Sequence, residues 1–211
     1  DLRSRGFIPE NNHVVYEILP LEQKQIEKYL DNLVKIGKFN ENDKALFYKQ
    51  AAPLIRNNFL NSFLILSLLT NIFKREHELP DTKLDLYKKC FKYIGFEREE
   101  NKNNQKYNWS DLDELMTIDT FSILASMGIP NNADIDREDI VNVLGNYYVT
   151  KYGTLHDARI AVKEFLNYCS ERTELFVCSS SDNKFNFFHR SFFEYFYALY
   201  IVSYKSNSII E

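Results

Sequence analysis

The stretch that decides the fold reads Lys184-Phe-Asn-Phe-Phe-His189-Arg-Ser-Phe-Phe-Glu-Tyr-Phe-Tyr-Ala-Leu-Tyr200. Apolar residues alternate with polar ones at its start, as in a β-strand, and from Ser191 onward they recur every three or four residues, as in an α-helix. His189 lies where the two patterns meet. Because the N-terminus of a helix attracts anions, this junction is a suitable place to hold an anion beside an imidazole.

The residues before this junction are predicted to form a β-hairpin. Residues 175–178 and 185–188 are short apolar runs, and the turn-forming segment 179–183 separates them. A final helix is expected from Ser191 to Tyr204, immediately after the hairpin.

Three helices are predicted before the hairpin. Ser110 is expected to cap the first, which runs to Met127, and Asp136 to cap the second. Thr154, with Asp157 three residues later, forms a capping box for the third. The third helix has the cleanest apolar periodicity in the chain, at Ala158, Ala161, Val162, Phe165, Leu166 and Cys169. Three helices, a hairpin and a closing helix predict a winged-helix domain.

The first half of the chain is predicted to be a helical bundle. One helix follows Pro20 and ends at Gly37, and a second spans about residues 42–50. A third, over residues 61–75, is apolar almost all round and is expected at the centre of the bundle. A capping box at Thr82 begins a fourth. Its apolar face is predicted to comprise Leu84, Tyr87, Cys90, Phe91 and Ile94.

The fold class predicted from these patterns is mainly α: a helical bundle followed by a winged-helix domain with one short β-hairpin. The bundle is expected over residues 21–96 and the winged-helix domain over residues 108–205. Residues 97–107 are charged and Asn-rich, with nothing to bury, and are expected to connect the two domains.

The composition is that of a globular protein rather than a disordered one, because 45% of the residues are hydrophobic and the formal charge is only −4. That charge gives no indication of a nucleic-acid binder. Cys90, Cys169 and Cys178 have no close pairing, which predicts a reducing, cytoplasmic setting. The apolar window 59–73 is shorter than the roughly 20 residues of a membrane span. Because the chain begins without methionine, we expect it to be a fragment.

No complete catalytic motif is present. The sequence lacks the P-loop pattern and the zinc-protease, hydrolase and C-x-x-C signatures. The histidines are scattered along the chain and predict no metal site. We therefore assign no catalytic residue.

Four segments resemble the NACHT and related STAND signalling ATPases, and together they span almost the whole chain. The first, Leu2-Arg-Ser-Arg5-Gly followed by residues 15–21, is similar to the family's T-S-R-P stretch; Arg5 falls on its sensor arginine, and Gly6 replaces the proline. The second, residues 61–69, is similar to the family's N-P-L-L-L segment, with Ser62 in place of the proline that packs near the adenine.

The third segment, residues 78–90, resembles the family's L-P-x-x-R-x-x-L-Y-x-x-C. The fourth comprises residues 165–175, the hairpin, and Phe-His-Arg-Ser-Phe-Phe-Glu-Tyr at 188–195, which resembles F-x-H-x-[ST]-F-x-E-[FY]. In the family, the histidine equivalent to His189 contacts the β-phosphate of ADP and locks a closed, inactive state.

The resemblance implies the regulatory part of a NACHT/STAND ATPase. Residues 1–20 would be the tail of the α/β nucleotide-binding domain, residues 21–96 its lid-type helical domain, and residues 108–205 its winged-helix domain. His189, Arg5 and Ser62 are the implied ADP- or ATP-binding residues. The Mg²⁺ ligands and the P-loop would lie in the parent protein outside this chain, which is not expected to hydrolyse nucleotide alone.

The same resemblance implies the partners. They are the upstream nucleotide-binding domain, further copies of the protein on activation, and a trigger protein that binds a sensor domain outside the chain. Such a cytoplasmic switch would serve innate-immune or anti-phage defence, without a membrane partner.

Two alternatives remain from the sequence. One is a winged-helix transcriptional regulator of the same ATPase class, although acidic residues slightly outnumber basic ones over residues 137–211, which argues against phosphate contacts. The other is a helical protein-interaction scaffold with no nucleotide role. A P-loop upstream would exclude the scaffold.

Overall fold

The computed structural model describes residues 21–56, 60, 62–97, 114–129, 134–173, 175–178 and 183–205. Over these residues the protein is mainly helical, with one small antiparallel sheet, which confirms the coarse fold class. The chain divides into two compact units, Asp1–Leu86 and Tyr87–Glu211. This division falls before the predicted linker at residues 97–107. Residues 98–107 of that linker, the segment 1–20 and the predicted cap Ser110 lie outside the described part.

The helices of the first unit are α1 (Gln23–Lys35), α2 (Glu41–Arg56), α3 (Phe63–Glu76) and the first residues of α4 (Lys83–Lys92). As predicted, Gly37 follows the end of α1, where its φ of 70° suits glycine. The helix α2 is longer than the predicted 42–50 and contains Pro53. Burial of Ala51 and Leu54 holds these extra turns in the core and outweighs the hydrogen bond that Pro53 cannot donate.

An aromatic cluster forms the centre of the first unit. The rings of Phe47 and Phe73 meet edge to face with centroids 5.4 Å apart, and Phe39 lies 5.6 Å from Phe73. The central position predicted for α3 is confirmed by its buried residues, which are Ile65, Leu66, Leu68, Leu69, Thr70, Ile72 and Phe73.

The second unit begins with the rest of α4, which continues as a π-helical turn at Tyr93–Glu97. Its further elements are α5 (Glu114–Gly128), β1 (Ile135–Asp136), α6 (Arg137–Tyr152), α7 (Leu155–Tyr168) with a π-helical turn at Cys169–Thr173, β2 (Phe176–Cys178), β3 (Lys184–Phe187) and α8 (Arg190–Tyr200) with a π-helical turn at Ile201–Lys205.

The sheet has the strand order β1-β3-β2 and is antiparallel throughout. The predicted hairpin is confirmed, with Phe176 opposite Phe187 and Cys178 opposite Phe185; turn residues 179–182 lie outside the described part. The strand β1 was not predicted, because two residues are too few to show alternation. It pairs with β3 through Ile135 and Phe185.

The side chain of Phe121 on α5 lies at the centre of the second unit. Its ring stacks on Phe196 of α8 at 5.0 Å and meets Phe91 at 5.2 Å and Phe165 at 5.5 Å. On α4, the predicted apolar face is wrong at one position: Leu84 is exposed and Leu86 is fully buried. The two leucines are two residues apart, so only one of them can lie on the buried face of a helix.

The capping predictions at Asp136, Thr82 and Thr154 are confirmed. The Asp136 carboxylate accepts a hydrogen bond from the Glu138 N–H. The hydroxyl oxygens of Thr82 and Thr154 accept from the N–H groups three residues ahead, each at 3.1 Å. Within the described residues, none of the helices has the length and apolar character that crossing a bilayer requires.

Removing the cap of α7 is expected to lower stability measurably. Thr154→Ala loses the acceptor for the Asp157 N–H, at a cost of about 1 kcal/mol and a fall in Tm of about 2–4 °C. Thr150→Ala is the matched control, because Thr150 is an exposed residue within α6 whose hydroxyl donates only to the Tyr147 carbonyl. Alanine is the better helix former there, so thermal unfolding should show no loss. Equal Tm values for the two variants would contradict the capping role.

Candidate functional site

The candidate site is the junction between β3 and α8, where His189 lies. The N–H of Phe188 donates to the Leu175 carbonyl at 3.0 Å and so ties the residue before His189 to the hairpin. The backbone of His189 is extended (φ −127°, ψ 128°), and its carbonyl accepts from the Phe192 N–H at 3.0 Å. His189 is therefore the N-cap of α8, and strand and helix together fix its position.

The imidazole of His189 caps the helix with its own side chain. Its Nδ1 accepts a hydrogen bond from the backbone N–H of Ser191 at 3.2 Å. An accepting Nδ1 carries no proton, so in the neutral ring the proton is on Nε2. For Nε2, the described residues supply no hydrogen-bond partner.

The surroundings of the His189 side chain favour the neutral ring. Half-burial disfavours the imidazolium and lowers the pKa of His189, while the negative charge of Glu194 opposes this shift less strongly. Glu194 is already bound to Arg190, whose Nε donates to it at 2.8 Å on the surface. At neutral pH the ring is accordingly an uncharged hydrogen-bond donor rather than a cation.

Buried aromatic residues hold the first turn of α8 in place. The ring of Phe192 meets Tyr87 of α4 edge to face at 5.3 Å, and Tyr195 lies 5.5 Å from the same tyrosine. The side chains of Tyr87 and Ser191 are also hydrogen-bonded. The aromatic residues of the sequence motif therefore form the core that orients His189.

Of the other two predicted site residues, Ser62 alone is among the described residues. Ser62 lies in the first unit and is the N-cap of α3, where its Oγ accepts from the Ile65 N–H at 3.3 Å. This gives Ser62 a structural role in the first unit. Arg5 lies outside the described residues.

A second feature, found in the structure of the first unit, is the clamp formed by the Gln50 side chain. Its side-chain amide donates to the His77 carbonyl at 3.2 Å, and its carbonyl oxygen accepts from the Leu79 N–H at 2.7 Å. The clamp shapes an open groove of about 290 Å³. The groove is lined by Gln50, Pro53, Leu54, Glu78, Leu79, Pro80 and Asp81, and Ser62 is not among these residues. Sequence patterns could not have found this clamp, because its partners are nearly 30 positions away along the chain.

In the part of the chain that the structure describes, no three His, Cys, Asp or Glu side chains come together in a way that could hold a metal ion. Comparisons of the chain with protein-family models, with curated proteins and with solved structures find no match.

Proposed function

We propose that this chain is the regulatory part of a NACHT/STAND-type ATPase, in which bound nucleotide controls whether the protein is closed or free to assemble. The observation that carries the proposal is the position of His189. It is a half-buried N-cap between hairpin and helix, with its Nε2 left without a partner among the described residues. The aromatic motif around it closely resembles the family pattern.

The connectivity of the second unit supports the same proposal. Helix α5, strand β1, helices α6 and α7 and the hairpin β2–β3 follow one another in the order of a winged-helix domain. The sheet order β1-β3-β2 also agrees with that architecture. Helix α8, which begins at His189, would be the closing helix of the domain.

The chemistry of the junction fits a phosphate. Bound ADP would supply anionic oxygen acceptors, and the Nε2–H of His189 would donate to one of them. The N-terminus of α8 adds favourable potential for an anion. Arg5 would contribute a positive charge from the tail of the nucleotide-binding domain, whereas Ser62, already engaged as a cap, would not contact the base.

The proposed switch is a two-state element whose balance depends on nucleotide contacts. While His189 donates to the phosphate, the winged-helix domain is tied to the nucleotide-binding domain. Loss of this hydrogen bond frees the domain and exposes surfaces for assembly with further copies. The parent protein would couple this change to a trigger, for instance a pathogen or phage product.

Replacing His189 tests the proposal directly. In the full-length protein, His189→Ala removes one hydrogen bond to a charged group, worth about 1.5–3 kcal/mol, so we expect ADP affinity to fall about tenfold to a hundredfold. The measurement is the nucleotide content after purification together with ADP titration, and signalling without the trigger should rise. Arg190→Ala is the control, because this neighbouring side chain is 88% exposed and its ion pair among the described residues is with Glu194 at the surface. Wild-type ADP retention in His189→Ala would refute the proposal.

A further inference from the structure

The two nitrogens of the His189 ring differ in their hydrogen bonding, and this difference limits what the ring can bind. The Ser191 N–H occupies Nδ1 at 3.2 Å, whereas no described residue bonds Nε2. The N–H of Ser191 is one of the backbone donors at the start of α8 that have no acceptor within the helix. Its hydrogen bond to Nδ1 is therefore lost whenever Nδ1 carries a proton. Capping and protonation of Nδ1 therefore exclude each other.

We propose that His189 acts as a neutral imidazole held in the Nε2–H tautomer by the α8 cap, so that it recognises a hydrogen-bond acceptor through Nε2 and releases the cap when the ring is protonated. The ligand at this position is consequently an acceptor such as a phosphate oxygen, bound by a neutral donor rather than by an ion pair. The inference rests on the proposed function only for the identity of that acceptor. The tautomer itself follows from the cap.

Burial of the ring favours the same neutral state and outweighs the one nearby charge that opposes it. On α8, Glu194 would stabilise an imidazolium, but its carboxylate is bound to Arg190 and more than half exposed. From α4, the Tyr87 side chain bonds Ser191 and carries no charge at neutral pH, because burial raises the pKa of Tyr87. Burial of the imidazole outweighs the effect of Glu194 and lowers the pKa of His189.

Nitrogen NMR of the 211-residue chain tests the tautomer. In a long-range proton–nitrogen spectrum at pH 7.5, His189 should show an unprotonated Nδ1 and a protonated Nε2, with one tautomer predominating. The chain has only four histidines, and the signals missing from His189→Asn identify the ring. A protonated Nδ1, an imidazolium, or averaged nitrogen signals would overturn the inference.

Two amide substitutions of His189 separate the capping role of Nδ1 from the hydrogen-bond donor role of Nε2. Asparagine is among the best N-caps, and its oxygen can replace Nδ1, but its side chain is too short to reach the position of Nε2. Glutamine places an amide N–H near the position of Nε2 and is a poor cap. We expect His189→Asn to keep the wild-type Tm within about 1 °C at pH 7.5, and His189→Gln to lower it by about 2–4 °C.

The pH dependence of stability gives an independent readout. The unfolded ring, with the ordinary His pKa of about 6.5, binds a proton more readily than the folded ring. Wild-type stability should therefore fall relative to His189→Asn as the pH decreases below about 6.5. A difference in Tm that is constant from pH 7.5 to 5.5, or equal destabilisation by both amides, would refute the coupling of cap and protonation.

ADP retention in the full-length protein then distinguishes this inference from the proposed function. His189→Asn should lose ADP as fully as His189→Ala, and His189→Gln should retain more than either. If the cap and tautomer results hold while all three variants keep wild-type ADP, the inference stands and the proposed nucleotide switch fails. If His189→Asn keeps ADP and His189→Gln loses it, Nε2 is not the ligand donor and the inference is refuted.

Discussion

Replacing Phe121 by alanine is expected to cost about 3–5 kcal/mol of unfolding free energy. Phe121 is 1% exposed, and its ring contacts Phe91, Phe165, Phe187 and Phe196, with ring centroids 5.0–6.1 Å apart. Alanine would leave a cavity where α4, α5, α7, β3 and α8 meet. Because total stabilities are typically 5–15 kcal/mol, the loss would be a large share of the total. Urea denaturation measures it, and hydrogen exchange should quicken at the amides of α5 and α8.

The matched control for Phe121 is Phe188→Ala. It removes the same ring from the same unit, but Phe188 is 64% exposed, so we expect a change within about 0.5 kcal/mol. Phe121→Leu should cost less than Phe121→Ala, since leucine fills part of the cavity. If Phe121→Ala proved as mild as Phe188→Ala, the aromatic cluster would not be the core of the second unit.

Local patterns were sufficient to predict the elements whose signals lie close together in sequence. The apolar stripe of α7 predicted a helix, and its members Val162 and Leu166 are fully buried. The capping boxes at Thr82 and Thr154 were identified because the N-cap and N3 residues are only three positions apart. The hairpin followed from two short apolar runs on either side of a turn-forming segment.

Features decided by contacts distant in sequence could not be predicted. Strand β1 exists because Ile135 pairs with Phe185, fifty residues later in the chain. The continuation of α2 through Pro53 depends on burial of Leu54, which local propensity does not report. The side of α4 that faces the core was misjudged at Leu84, because Leu84 and Leu86 are both apolar and only packing decides between them.

The candidate site was likewise predictable only in part. The position of His189 at a strand–helix junction could be predicted from the change of period within one stretch. Its charge could not, because the pKa of the ring depends on burial and on the hydrogen bond from the Ser191 N–H. The cap role of Ser62 was likewise absent from the prediction, which treated this residue as a replacement for a proline at an implied nucleotide-binding position.

Replacing Phe73 by alanine is the corresponding experiment in the first unit, and we expect a loss of about 3–5 kcal/mol. Phe73 on α3 is fully buried, and its ring lies 5.4 Å from Phe47, 5.6 Å from Phe39 and 5.7 Å from the imidazole of His77, the C-cap of α3. Alanine would remove the contacts of all three rings at once. Denaturant unfolding reports the loss, and exchange should quicken at the amides of α2 and α3.

The first residue of the same helix supplies the matched control. Phe63 is 54% exposed, and the one ring contact described for it is with Tyr29 at 6.4 Å, so Phe63→Ala should change stability by less than about 1 kcal/mol. Comparable losses for Phe63→Ala and Phe73→Ala would contradict the placement of α3 at the centre of the first unit. A large loss confined to Phe73→Ala would indicate that this unit is stabilised by its own aromatic core.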